Sequence, residues 1–224
     1  MRRLLVLDLD GTLCLGDAPM RRVAHHAFAH LSEPDRRGAE AALERFMAGE
    51  HQLLPTARDG YDAVAILAMD AGVGADELHE AFMTTRTPRE IDLWLQHVEA
   101  PRALVTALTE LSGVERVLVT NSPQHGIERV VEHLGLARAL DEVITSARKP
   151  NGMPAILDRL GVPATTARRE LAAMGDRWVN DLVEVHERGG TTFHIAHDGW
   201  ADGTPTHRAA HPDELVAAVV DWAS

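Results

Sequence analysis

The stretch from Leu4 to Leu13, LLVLDLDGTL, constrains the fold more than any other part of the chain. Its apolar run ends abruptly at two carboxylates, Asp8 and Asp10, followed by a glycine. A short apolar run of this kind is typical of a buried strand in a parallel sheet. Because Asp8 and Asp10 are two positions apart, an extended chain points both side chains the same way, and such close like charges need a cation or strong hydrogen bonds. The pattern predicts a metal site at the end of the first strand, with an ordinary Asp-Gly turn as the alternative.

The composition is that of a globular protein with an acidic surface. Of the 224 residues, 45% are hydrophobic and 25% are charged, and the formal net charge is -12. Nucleic-acid binding needs a basic surface, so it is not expected as the main function. No stretch has the length of a membrane-spanning helix, so no membrane partner is expected either. The single cysteine, Cys14, permits no internal disulfide, which favours a cytoplasmic protein. Because no paired histidine lies nearby to make it a nucleophile, Cys14 is interpreted as a small buried side chain.

The rest of the chain changes character once, near residue 100. Helical spacing of apolar residues predicts helices at 21–31, 35–48, 59–71, 76–84 and 89–98, which glycine and proline separate. From Pro101 onward, strands predicted at 115–120, 142–145, 171–174 and 191–195 alternate with helices at 102–111, 124–134, 154–160, 180–188 and 213–222. Such alternation implies parallel strands joined by crossovers, hence an α/β fold with a doubly wound parallel sheet.

Two domains follow from this pattern. We predict an α/β core formed by residues 1–15 and 100–224, and an inserted all-helical domain at 16–99. The segment 199–212, GWADGTPTHRAAHP, is predicted to be a loop without an assigned role.

Polar residues also follow the second predicted strand, in the segment VLVTNSP at 117–123. Active sites of doubly wound sheets lie beyond the carboxyl ends of the strands, so Thr120 and Asn121 are candidate site residues. The same segment is compatible with a plain helix start in which Ser122 is the N-cap and Pro123 is the first helical residue. A helix N-terminus beside a threonine hydroxyl is also a good phosphate-binding arrangement.

Two further segments carry charged candidates. Lys149 precedes Pro150 and Asn151, and an apolar strand at 171–174 ends in a glycine and Asp176, with Asp181 five positions later. An acidic residue near a helix start interacts favourably with the helix dipole, which accounts for Asp181 without any metal. Together with the two carboxylates of the first strand, however, Asp176 and Asp181 would provide the hard oxygen ligands that Mg²⁺ prefers.

These four segments, in this order, resemble motifs I to IV of the haloacid dehalogenase (HAD) superfamily. The matching patterns are D-x-D-G-T-L, a strand ending in threonine, lysine followed by proline, and G-D-x4-D, and they extend over nearly the whole chain. The helical insertion lies where members of subfamily I carry a type-1 (C1) cap. The resemblance implies a Rossmann-like core and a HAD hydrolase of the phosphatase type.

The resemblance also implies roles for the candidate residues in Mg²⁺-dependent phosphoryl transfer. Asp8 would attack phosphorus to give an aspartyl phosphate, and Asp10 would be the general acid and then the general base. The implied phosphate-binding residues are Thr120, Asn121 and Lys149. The implied metal-binding residues are Asp8, Asp10 through its backbone carbonyl, Asp176 and Asp181, the last through water or by orienting the lysine.

The acid at position 10 distinguishes among the reactions of the superfamily. Its dehalogenases lack an acid there, and its phosphonatases need an additional lysine in the cap. The expected substrate is therefore a small phosphorylated metabolite, similar to phosphoglycolate or a nucleotide, acted on by a monomer or homodimer. A sugar-phosphate mutase and a non-enzymatic binding protein on the same scaffold are the alternatives.

Several histidines form a rival candidate for a metal site. His26 and His30 have the i, i+4 spacing of zinc ligands on a predicted helix, but the sequence offers no third ligand. They are interpreted as surface residues, and His194 and His197 are given the same interpretation. Trp178, inside the fourth segment, has no assigned role.

Overall fold

The computed structural model of the protein describes residues 3–162, 170–197 and 202–224. In this part of the chain, six parallel strands form one sheet in the order β3-β2-β1-β4-β5-β6. The strands are β1 (Arg3–Leu7), β2 (Val114–Val119), β3 (Glu142–Ile144), β4 (Leu171–Gly175), β5 (Thr191–Ile195) and β6 (His207–Ala209). The chain starts at the centre, proceeds to one edge, returns beside β1 and continues to the other edge. This is the predicted doubly wound α/β fold, which the structure confirms.

The chain divides into two compact units. The α/β unit comprises Met1–Leu15 and Glu99–Ser224, and the helical unit comprises Gly16–Val98. The α-helices of the helical unit are α1 (Ala18–Phe28), α2 (Glu33–Met47), α3 (Gly60–Asp70), α4 (Ala75–Thr84) and α5 (Pro88–Leu95). Those of the α/β unit are α6 (Arg102–Glu110), α7 (Ile127–His133), α8 (Met153–Arg159), α9 (Val183–Glu187) and α10 (Val216–Ala223).

Strand β1 lies between β2 and β4, which explains its continuous apolar sequence. Leu7 is aligned with Leu118 of β2 on one side and with Met174 of β4 on the other, and all three are fully buried. The order of strands reverses between β1 and β4, so the connections after these two strands leave in opposite directions and open a crevice at their carboxyl ends. Asp8 follows β1 directly and Asp176 follows β4 directly, so the fold brings both carboxylates to this crevice.

Local sequence signals explain where the helices of the helical unit begin. The Ser32 hydroxyl accepts a hydrogen bond from the Asp35 amide at the start of α2, and the Asp59 carboxylate accepts one from Asp62 at the start of α3. Such caps satisfy amides that have no partner inside the helix. Proline at the first or second position starts α1, α2 and α5, where its missing N–H has no cost.

Three local features differ from the sequence-based expectation. Strand β6 lies inside the segment 199–212, which was predicted to be a loop. Residues 199–201 of that segment lie outside the described residues. A strand of three residues at a sheet edge is too short to show a periodic pattern of apolar residues in the sequence. Helix α7 begins after Gly126, which has a φ of +82°, so Ser122 is not its N-cap. The helix predicted at 180–188 starts instead as a π-helical turn over Trp178–Leu182 that continues into α9.

The histidines of the α/β unit also require a correction. His194 was interpreted as a surface residue, but it lies in β5 and is fully buried. Side chains of a strand project to the two faces of the sheet, and helices cover both faces of a doubly wound sheet, so the polar Thr192 and His194 of β5 are both buried. Within the part of the chain that the structure describes, no helix combines the length and apolar character that crossing a bilayer requires.

The packing of neighbouring strands predicts a contrast in stability. Val117 of β2 is fully buried, whereas Val143 of β3 is 38% exposed. Val117→Ala removes two methyl groups from a close-packed core, so we expect the free energy of unfolding to fall by about 2 kcal/mol. Val143→Ala makes the same chemical change at an exposed position and should cost less than about 1 kcal/mol. Urea denaturation measures both; equal losses would contradict the assignment of the core.

Candidate active site

The centre of the candidate site is an ion triad made by Lys149 and two aspartates. The Lys149 ammonium lies 2.6 Å from Oδ1 of Asp8 and 2.6 Å from Oδ1 of Asp181, and all three side chains are almost completely buried. Two of the three N–H donors of the lysine are therefore used, and the third remains for another acceptor. Thr12, also buried, has its hydroxyl 3.4 Å from Oδ2 of Asp8. The nucleophile candidate is thus held at both of its oxygens.

Asp181 reaches this triad from the π-helical turn after β4. Its second oxygen, Oδ2, accepts a hydrogen bond of 3.0 Å from the amide of Arg177. The approach is close, because a Cβ placed on Gly175 would lie 2.4 Å from Cβ of Asp181. Glycine at the end of β4 is therefore needed to admit the Asp181 side chain, which explains the first residue of the G-D-x4-D pattern.

Asp176 lies against the loop that follows β1. A Cβ on Gly11, whose φ is +77°, would lie 2.7 Å from Oδ2 of Asp176, so only glycine fits both the backbone conformation and the space. The guanidinium of Arg177 lies 3.3 Å from the same oxygen. Oxygens of Asp8, Asp176 and Asp181 all lie within 4.8 Å of one another. Three of the four predicted metal-binding residues are thereby brought together.

Asp10 has its own contact with the loop after β2. Its Oδ2 lies 3.4 Å from the hydroxyl of Ser122, a buried residue. Sequence reasoning treated Ser122 as a helix cap and missed this contact. The signal that points to it is positional, because Ser122 follows β2 and Asp10 follows the neighbouring strand β1.

The two predicted phosphate-binding residues after β2 have different surroundings. Thr120 is buried, and its hydroxyl accepts a hydrogen bond from the Ser122 amide at 3.0 Å, which leaves the O–H free to donate. Asn121 is exposed, and its side chain is engaged with the backbone of Lys149: its Oδ1 accepts from the Lys149 amide at 2.6 Å and its Nδ2 donates to the Lys149 carbonyl at 3.2 Å. Asn121 therefore fixes the segment that carries the lysine.

Comparison with known proteins agrees with this geometry. A family model described as haloacid dehalogenase-like hydrolase matches residues 3–183, which include the first three segments and the G-D-x4-D pattern. The chain belongs to this family of hydrolases. A search of curated proteins finds no match to the sequence.

Solved structures of HAD proteins have the same fold as this HAD-like hydrolase. The HAD hydrolase YfnB of Bacillus subtilis, bound to magnesium, is 17% identical, with 97% of this chain and 98% of that chain covered and a TM-score of 0.63. A candidate phosphoglycolate phosphatase from Lactobacillus plantarum is 14% identical, with 99% of each chain covered and a TM-score of 0.61. A candidate beta-phosphoglucomutase from Thermotoga maritima is 15% identical, with 98% and 99% covered and a TM-score of 0.58.

The charges of the site fit a divalent cation. The carboxylates that follow β1 and β4 are Asp8, Asp10, Asp176 and Asp181, and the cations that contact them are Lys149 and Arg177. These carboxyl groups outnumber the two cations, in a region where the dielectric is low. Oxygen-only ligands favour Mg²⁺ over softer metals. The HAD-like hydrolase thus has a cluster of ligands and a net charge that suit a divalent metal.

The protonation equilibria reflect the burial of the triad. Burial by itself would lower the pKa of the Lys149 ammonium, but Asp181 and Asp8 outweigh it, so the pKa is raised and the lysine stays charged. For Asp181, burial raises the pKa, and the Lys149 charge opposes that effect. The lysine is therefore the main reason that the buried carboxylate can ionise.

Two histidines contact the loops that carry the carboxylates, which the sequence did not reveal. His197 Nε2 lies 2.6 Å from the Gly11 carbonyl oxygen, and His194 Nε2 lies 3.2 Å from the Asp176 carbonyl oxygen. A carbonyl only accepts, so both imidazoles donate from Nε2. Burial lowers the pKa of His194. His194 lies in β5 and His197 lies just after it. These two side chains thus hold the loops after β1 and after β4, which are adjacent in space but far apart in sequence.

The triad predicts a large effect of removing its cation. Lys149→Met leaves the buried Asp8 and Asp181 without a counter-charge, so we expect the metal-free protein to lose about 3 kcal/mol of unfolding free energy at neutral pH. Arg159→Met is the control: Arg159 pairs with Glu142 at 2.7 Å, but Arg159 is exposed and Glu142 is partly exposed, so the loss of this pair should cost less than about 1 kcal/mol. Denaturation in EDTA measures both variants. A Lys149→Met protein as stable as the wild type would show that the triad does not hold the site together.

Proposed function

We propose that this HAD-like hydrolase is a Mg²⁺-dependent phosphomonoesterase that acts on a small phosphorylated metabolite through an aspartyl-phosphate intermediate. The observation that carries the proposal is the triad, in which a buried ammonium touches Asp8 and keeps one donor for a phosphoryl oxygen. The second acid, Asp10, is two residues away at the same crevice. A nucleophile, a cation and a proton donor or acceptor are the groups that such a reaction needs.

In the first step, a carboxylate oxygen of Asp8 attacks phosphorus. The new bond joins the Asp8 oxygen to phosphorus, and the bond between phosphorus and the ester oxygen breaks. Asp10 gives its proton to that departing oxygen, so the product leaves as a neutral alcohol and Asp10 becomes a carboxylate. The Ser122 hydroxyl, 3.4 Å from Oδ2 of Asp10, orients this carboxyl group.

In the second step, water hydrolyses the intermediate. Asp10 accepts a proton from the water, whose oxygen bonds to phosphorus while the bond to the Asp8 oxygen breaks. Inorganic phosphate leaves, Asp8 is again a carboxylate, and Asp10 is again protonated. The third donor of Lys149 and the Thr120 hydroxyl bind phosphoryl oxygens, and Asn121 keeps the lysine in place through its two contacts with the lysine backbone.

Asp8, Asp176 and Asp181 are the residues that would hold Mg²⁺, with the Asp10 carbonyl as a further ligand by the HAD pattern. When bound, the metal offsets the repulsion between the Asp8 carboxylate and the phosphate dianion. The magnesium bound to the Bacillus subtilis HAD hydrolase of the same fold supports this choice of ion. The excess of negative charge in the site supports it independently.

The substrate class is proposed from the HAD proteins that share the fold. The HAD neighbours include a candidate phosphoglycolate phosphatase and a candidate beta-phosphoglucomutase, and both names concern small phosphate esters. A phosphoglycolate- or nucleotide-like phosphate ester is therefore the proposed substrate. The single cysteine supports the further proposal that the protein is cytoplasmic. Phosphoryl transfer to a sugar phosphate rather than to water would identify a mutase instead.

The nucleophile assignment predicts loss of turnover in Asp8→Asn. An amide is a much weaker nucleophile than a carboxylate, so we expect phosphate release from a panel of phosphomonoesters to fall at least about 10³-fold. EDTA should abolish the wild-type reaction and added Mg²⁺ should restore it. Asp221→Asn, an exposed position of α10, is the matched control and should keep wild-type activity. Phosphate release that needs neither Asp8 nor Mg²⁺ would contradict the proposal.

The acid role of Asp10 predicts dependence on the leaving group. Asp10→Asn cannot protonate the departing oxygen, so we expect the first step to slow by about 10²–10⁴-fold for an alkyl phosphate. With a nitrophenyl phosphate the nitrophenolate leaves without protonation, so the first step with this substrate should change much less. Single-turnover measurements of alcohol or phenol release separate the two substrates. Equal slowing with both leaving groups would assign Asp10 to another role.

A further inference from the structure

The helical unit contains a buried arginine for which the described part of the chain provides no acidic partner. Arg86, between α4 and α5, is only 4% exposed, and its Nε has neither solvent contact nor a hydrogen-bond acceptor. Among residues 3–162, 170–197 and 202–224, no carboxylate or carbonyl oxygen accepts a hydrogen bond from its guanidinium. Arginine stays charged at any pH that proteins tolerate, so this group cannot escape the cost of burial by losing its proton.

The position of Arg86 is fixed by its neighbours rather than by an ion pair. The Arg86 amide donates to the Met83 carbonyl at 3.1 Å. The preceding residue, Thr85, donates its hydroxyl to the Phe82 carbonyl and accepts at its own carbonyl from the buried Trp94 indole at 3.2 Å. The guanidinium carbon lies 4.9 Å from the centre of the Phe82 ring. A contact of the cation with the ring does not use the N–H donors of the guanidinium, and the enclosed Nε has no acceptor among the described residues.

The nearest acid along the chain is already committed. Glu90, four residues after Arg86, pairs with Arg22 at 2.7 Å and lies 3.1 Å from His26. A second buried arginine, Arg188 of the α/β unit, shows what complete pairing looks like. It is 3% exposed and donates to Glu184, to Asp158 and to the carbonyl oxygens of Val162 and Pro154.

We propose that Arg86 is an anion-binding residue of the helical unit and that its ligand carries an oxyanion, either a phosphate-type or a carboxylate group. The parallel N–H donors of a planar guanidinium match two oxygens of such a group, and the enclosed Nε–H of Arg86 has no acceptor among the described residues. The anion is either a group of the substrate or a separate small molecule. This inference does not require the proposed phosphatase activity.

The test observes the Nε–H groups of the two buried arginines in isotope-labelled, full-length protein by nitrogen–proton correlation NMR. Loss of a resonance in Arg86→Lys and in Arg188→Lys assigns the two signals. We expect millimolar sulfate or acetate, added at constant ionic strength, to shift the Arg86 signal saturably while the Arg188 signal stays in place. The more effective anion identifies the ligand as phosphate-like or carboxylate-like.

Two variants control the experiment. In Lys149→Met the proposed phosphate-binding site has lost its cation, so a persistent Arg86 shift shows that the anion binds at Arg86; loss of the shift would overturn the proposal. Arg86→Met should weaken anion binding, measured by calorimetry, by about tenfold or more. If neither anion shifts the Arg86 signal, or if the Arg188 signal shifts equally, the proposal is wrong.

Melting temperatures give a second readout that a structural role of Arg86 would not produce. Arg86→Met removes an unpaired buried charge, so the melting temperature of the anion-free protein should stay equal or rise. Arg188→Met breaks a paired network and should lower it by about 5 °C. A loss in Arg86→Met as large as in Arg188→Met would make Arg86 a structural residue.

The source of the anion follows from kinetics: a raised KM in Arg86→Met for carboxylated but not for neutral phosphate esters indicates the substrate, and unchanged KM values indicate a separate molecule.

Discussion

The arrangement of the α/β unit depends on the contact of one ammonium with two buried carboxylates. Asp8 and Asp181 come from segments more than 170 residues apart, and each is almost fully removed from water. A carboxylate in such a place is stable in its charged form only when a cation is in contact with it. Lys149 provides that cation, and its own backbone is held by Asn121. The electrostatic requirement thus ties together the segments after β1, β2, β3 and β4.

The strand order explains why these segments can meet at all. Reversal of the winding direction between β1 and β4 leaves their carboxyl ends uncovered by a crossover, and the residues that follow those ends are the carboxylates. Close approach then requires residues without side chains. Gly11 admits Asp176 and Gly175 admits Asp181, so the glycines of both acidic segments serve packing and backbone conformation together.

Much of this was predictable from the sequence because its signals are strong and local. A buried parallel strand is mostly apolar, so β1 was recognised from its apolar run, and β2, β3, β4 and β5 were predicted within one residue of the observed bounds. The acids at strand ends followed from the same pattern. The edge strand β6 was missed because three residues are too few to show an alternation of apolar and polar side chains. The late start of α7 was missed because the residue before the helix is a glycine in the left-handed conformation, not the expected Ser122 cap. The contacts of His194, His197 and Ser122 with the acidic loops arise only from tertiary packing, which sequence spacing does not encode.

The two buried arginines show how the same side chain can serve opposite purposes. Arg188 satisfies its donors with carboxylates and carbonyls of its own unit, so its burial contributes to the stability of the fold. Arg86 is equally buried, but its enclosed Nε has no acceptor among the residues that the structure describes, and a folded protein gains nothing from that arrangement by itself. A sequence in which Arg86 were apolar would pack at lower cost. An unpaired charge in a well-packed place is therefore best explained by an anion that arrives from outside the chain, as strain at a site is explained by function rather than by stability.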